Sequence, residues 1–134
     1  LTFKAYNKNY KLENEWLSKN PNNISIYNDD ELCGFIFTTN GFINLYKLLK
    51  RAFNEKLYKV QNKNLEIFLI AGDNDPVIQN TKKFKQLEQF LNKLGYKNTK
   101  SKLYPDLRHE ILNEEEYEQI YKDILDFFIN NKEK

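Results

Sequence analysis

His109 is the single histidine of the chain, and so the one side chain whose ordinary pKa lets it exchange protons near neutrality. Alone in a loop, a histidine is most often a solvated or structural residue. Its setting adds content: Asp106-Leu107-Arg108-His109-Glu110 follows an extended segment ending at Tyr104-Pro105, and Asp73-Asn74-Asp75-Pro76-Val77 follows another ending at Gly72. A carboxylate held against one imidazole nitrogen fixes the tautomer and leaves the other nitrogen to act as a base. Asp73 and Asp75 compete for that role. Asp73, directly after Gly72, suits a turn residue that bonds its own backbone, whereas Asp75, stiffened by Pro76, is better placed to project across a sheet edge.

The same three side chains could in principle hold a metal. However, Asp-Asn-Asp-Pro-Val departs from the calcium-loop pattern, lacking Gly at its sixth position and Glu at its twelfth, so no metal site is expected. No Gly-rich phosphate loop is present either, and no cofactor is expected. A His–Asp pair for acyl transfer needs a nucleophile. The serines are Ser18, Ser25 and Ser101, none in a Gly-x-Ser-x-Gly elbow, and the four glycines are isolated and form no oxyanion-hole run. Cys33, the only cysteine, excludes an intrachain disulfide and a multi-cysteine metal site, and reads as a small buried hydrophobe beside Phe35 and Phe37.

The elements that must position these residues are clearest in the second half. Leu65 to Gly72 is a short, nearly unbroken apolar run, the form of a parallel strand buried on both faces. Phe84, Leu87, Leu91 and Leu94 then fall on one helical stripe closed by Gly95, and Thr99 to Tyr104 is a second, more polar strand. The last helix is expected from an Asn113 N-cap, with Glu114, Glu115 and Glu116 against the positive end of its dipole, and Tyr117, Ile120, Tyr121, Ile124 and Phe128 on its apolar face. Strand, helix, strand, helix closes as a parallel crossover unit, and both post-strand loops leave at one sheet edge, where open α/β proteins place ligands. Upstream, Phe42, Leu45, Tyr46, Leu49, Ala52 and Phe53 predict an amphipathic helix from Gly41 to about Tyr58. Residues 1 to about 40 read as a loop-rich excursion with Trp16-Leu17 as its apolar anchor and Asn20-Pro21-Asn22-Asn23 as a turn.

The chain has 134 residues and 16.2 kDa, one domain's worth. Its 21 basic and 19 acidic residues nearly cancel and form no basic stripe, which argues against nucleic acid. No apolar run approaches the roughly 20 residues that span a bilayer. There is no Met, and position 1 is Leu, so an N-terminal portion is expected upstream; the unpaired Cys33 leans towards a reducing, cytoplasmic compartment.

The segment Leu65–Val77 with its Gly-Asp-Asn-Asp-Pro-Val tail, followed by Leu103-Tyr104-Pro105-Asp106-Leu107-Arg108-His109-Glu110, resembles the C-terminal part of α/β-hydrolases of the monoacylglycerol lipase and lysophospholipase type. In that family a strand ending in Gly-x-x-Asp carries the catalytic acid and a Tyr-x-x-x-x-His-Glu segment the catalytic histidine, in the chain order Ser, Asp, His. The resemblance implies Asp75 as acid and His109 as base. Glu15-Trp16-Leu17-Ser18 and Leu32-Cys33-Gly34-Phe35 are similar to the cap of bacterial members. The implied architecture is a partial α/β-hydrolase fold, the last strand-helix-strand-helix of a parallel sheet preceded by a helical cap segment. Residues 1–60 would form the cap or lid, with Phe42, Leu45 and Leu49 shielding an acyl chain, and 61–134 the C-terminal portion of the core; packing against the sheet is the other reading of that helix. The implied activity is serine hydrolysis of a carboxylic ester, with a small lipid-like substrate and at most peripheral membrane contact. Without the nucleophile, the chain by itself is expected to be inactive and to self-associate or pair with a missing N-terminal half. The alternative is a non-catalytic interaction or assembly module with a hydrolase-like sheet.

Overall fold

The computed structural model describes residues 13–131. The first twelve residues of the expected 1–60 segment, and 132–134, lie outside the described residues. Helix α1 (Pro21–Asp29) occupies a stretch expected to be irregular. The Asn20 side chain accepts from the backbone N–H groups of Asn22 and Asn23, and Pro21 takes the first helical position, where a missing N–H does no harm. The Asn-Pro signal therefore starts a helix instead of a free turn. Because α1 buries only Ile24, no apolar period announced it.

Helix α2 (Thr39–Ala52) starts at a Thr38 cap and ends with Lys50 and Arg51 at the negative end of its dipole. It stops short of Tyr58; a 3₁₀ turn, Glu55–Leu57, capped by Asn54, follows it. None of its residues is buried, and Phe42, Leu45 and Leu49 stand exposed. Cys33 is half-buried and its neighbours Phe35 and Phe37 are exposed, so the enclosed site expected for the thiol is not there.

Strand β1 (Glu66–Gly72), helix α3 (Thr81–Leu94) and strand β2 (Asn98–Tyr104) form the crossover unit. The strands are parallel, with Glu66 opposite Asn98 and Gly72 opposite Tyr104. Asn80 caps α3 by accepting from Lys83 N–H, and Gly95 ends it in the left-handed region at φ 112°. Burial along β1 is half-complete from Glu66 to Ile70 and full only at Ala71 and Gly72. A strand enclosed on both faces throughout is therefore not what forms: among the described residues β1 pairs with β2 alone.

Helix α4 (Tyr117–Asn130) begins later than expected. Asn113 is not its N-cap but the end of a 3₁₀ turn, Ile111–Asn113, because the following Glu114 turns inward, 1% exposed, instead of lining the helix start. The core lies where β2 and its loop meet α4: Tyr104, Leu107, Ile111 and Ile120, with Ile70 and Ile124 packed against them. Burial, and the bond its hydroxyl donates to Asp123 (2.7 Å), push the Tyr104 phenol pKa up. Lys102 and then Tyr104, donating to the same carboxylate, hold Asp123 below its ordinary value.

Candidate active site

The register places Gly72 beside Tyr104, so the two loops leave the sheet together. They interlock through backbone bonds. Asp73 N–H donates to Tyr104 O at 3.0 Å and Asn74 N–H to Leu107 O at 3.0 Å. Gly72 permits this approach, since any side chain there would run into the Leu107 and Arg108 carbonyl groups. Asp73 Oδ1 accepts from Asp106 N–H at 2.7 Å, which holds Asp106 in a left-handed conformation at φ 60° that Asp tolerates. Asp73 thus fastens one loop to the other and is not the partner of the imidazole.

That partner is Asp75. Its Oδ2 lies 3.0 Å from His109 Nδ1, while Oδ1 accepts from Val77 N–H at 2.7 Å and closes a local turn around Pro76. The carboxylate is 6% exposed, whereas the His109 side chain keeps 39% of its surface. With Asp75 on Nδ1, the proton of the neutral ring resides there, and among the described residues Nε2 has no hydrogen-bond partner. The Asp75 bond raises the His109 pKa above its ordinary 6.5; burial opposes this, and the charges of Asp75 and Glu110 add to the rise. The Trp16 ring packs at 5.2 Å, centroid to centroid, from the imidazole.

None of the serines bonds His109. Ser18 Oγ donates to Glu114, Ser25 Oγ to Asp29 and Ser101 Oγ, inside β2, to Glu88. Of the residues proposed for a lid, Leu49 lines an apolar groove of about 710 Å³ with Phe53, Val77, Phe84 and Phe90, two residues along the chain from Asp75. Phe42 instead packs on Phe37, 5.6 Å away, and Leu45 lies exposed. Among the described residues no cluster of His, Cys, Asp and Glu could hold a metal, and no helix is long and apolar enough to cross a membrane. Sequence reasoning missed Trp16 as a neighbour of His109 and Glu114 as a buried residue. Trp16 reaches His109 from a distant segment, and two of the three donors to Glu114, Ser18 Oγ and Lys19 N–H, also come from that segment.

A family model described as serine aminopeptidase, S33, matches residues 2–116. No curated protein matches the chain. Among solved structures, a highly thermostable carboxyl esterase from Bacillus coagulans, in complex with glycerol, is similar with a TM-score of 0.68 and 26% identity, over 92% of this chain and 40% of that one. The chain therefore spans less than half the length of that esterase. Its parallel strand-helix-strand-helix unit with helices before it is a partial α/β-hydrolase fold. With the family model matching most of its residues, the chain belongs to the serine aminopeptidase S33 family of α/β hydrolases.

Proposed function

We propose that this chain supplies the acid and the base of a serine hydrolase that cleaves carboxylic esters, with the nucleophilic serine contributed by protein outside these 134 residues. The observation that carries the reading is the bond between the buried Asp75 Oδ2 and His109 Nδ1 at 3.0 Å, on two loops leaving one sheet edge. In this reading Nε2 takes the proton from the serine hydroxyl as its oxygen attacks the ester carbonyl, and Asp75 stabilises the imidazolium. When the tetrahedral intermediate collapses, Nε2 passes that proton to the leaving alcohol. Water attacks the acyl-enzyme in the same way and releases the acid.

The carboxyl esterase likeness favours esters over peptides, and the apolar groove beneath Val77 and Leu49 suits a small lipid-like ester such as a monoacylglycerol or lysophospholipid. Residues 1–60 act as the cap, with Phe42, Leu45 and Leu49 on its lid helix, and 61–134 as the C-terminal portion of the core. A serine-directed fluorophosphonate tests the division of labour. The 134-residue chain alone should remain unlabelled, and a protein joining it to a serine-bearing α/β-hydrolase portion should label and lose labelling with His109→Ala. Labelling of the chain alone would overturn the reading.

A further inference from the structure

The most completely buried charged side chain among the described residues is not in the Asp75–His109 pair. It is Glu114, 1% exposed. Its Oε1 accepts from Arg108 N–H at 2.9 Å, and its Oε2 from Ser18 Oγ at 2.8 Å and Lys19 N–H at 2.8 Å. One carboxylate therefore joins the residue before His109 to the segment that carries Trp16. A second bond closes the frame from the other side: Glu110 N–H donates to Leu17 O at 2.7 Å. The Arg108 guanidinium, itself buried, donates back to the carbonyls of Ser18 (3.1 Å) and Glu15. Both backbone neighbours of His109 are thus pinned to residues 15–19.

Burying a carboxylate is expensive unless its lone pairs are satisfied. Here three donors on two separate segments satisfy it, an arrangement that specifies geometry well beyond what a helix start requires. Within that frame the imidazole touches both the Asp75 carboxylate, at 3.0 Å from Nδ1, and the Trp16 ring, at 5.2 Å between centroids. We infer that Glu114 is a positioning residue, holding the His109 backbone and the Trp16 segment in one frame so that Nδ1 stays on Asp75. This rests on the acid–base reading of that pair.

The chain is suited to the test because it has one tryptophan and one histidine, in contact. An imidazolium quenches an adjacent indole, so the pH dependence of Trp16 fluorescence reports the His109 titration, and the size of the change reports ring contact. The charges acting on the imidazole are those of Asp75 and Glu110, and the neighbouring Arg108 guanidinium is paired with Glu15 at 4.0 Å. Glu114→Gln also removes a charge, so Ser18→Ala, which breaks a bond to Oε2 without changing charge, accompanies it. In the wild-type chain the midpoint should lie above 6.5. Both variants should show a smaller fluorescence change and a lower midpoint, by about half a pH unit or more for Glu114→Gln and less for Ser18→Ala. A wild-type midpoint and amplitude in either variant, with circular dichroism showing it folded, overturns the inference. If Glu114→Gln does not fold, Ser18→Ala alone decides. Asp75→Asn distinguishes the pair from its frame: if it leaves the midpoint in place, the acid–base pair itself falls, and if it lowers the midpoint while the Glu114 and Ser18 variants do not, only the positioning role falls.

Discussion

A methyl group at position 72 would lie 2.1 Å from the Leu107 carbonyl oxygen and 2.5 Å from that of Arg108. Both are backbone atoms, so the two loops would have to separate. Gly72→Ala should destabilise the chain by about 2 kcal/mol or more, measured by denaturant unfolding, and should lower the His109 midpoint because Asp75 moves with its loop. His109 also imposes a pH dependence whose sign is fixed. Its folded pKa is raised, first by the Asp75 bond. The stabilisation is therefore fully present below the unfolded value of 6.5 and is lost as pH rises through the folded value. The melting temperature of the wild type should exceed that of Asp75→Asn most clearly near about pH 5.5, with the difference shrinking towards about pH 8.5. A constant difference across that range would contradict the ion-pair part of the account.

Among the elements, α3 and the strands beside it carry the site, and their ends are well marked. Asn80→Ala removes the acceptor for Lys83 N–H and should cost about 1 kcal/mol. Chemical denaturation of the variant checks this. These ends were legible in the sequence because local chemistry writes them: the apolar run into Gly72, the stripe Phe84, Leu87, Leu91 and Leu94, and the stop at Gly95. Parallel strands send their following loops to one edge, which brings both Asp73 and Asp75 to His109; the choice of Asp75 rests on Pro76 and on the family resemblance. What escaped was tertiary in origin. Glu114 reads as a first-turn acid until its three donors from Arg108, Ser18 and Lys19 pull it inward and delay α4 to Tyr117. Helix α1, with only Ile24 buried, has too little apolar surface to show a period, and its cap residues double as turn formers.

At the scale of the molecule, many apolar side chains stand exposed among the described residues. Phe42, Leu45, Leu49 and Phe53 on and after α2, and Leu125, Phe128 and Ile129 on α4, are all exposed, and β1 pairs with β2 alone among the described residues. Exposed apolar side chains beside an unpaired strand edge favour association. The 134-residue chain should elute from size exclusion above its 16.2 kDa mass, increasingly so at higher concentration, and a concentration-independent monomer would count against that expectation. If Asp75 and His109 act as the acid and base of a serine ester hydrolase, both are indispensable to turnover. Ester hydrolysis by a protein joining this chain to a serine-bearing α/β-hydrolase portion reads this out. We expect kcat to rise with pH as His109 loses its proton, and to fall by about 10³-fold or more in His109→Ala and in Asp75→Asn. Hydrolysis that survives either substitution within about tenfold would contradict the account.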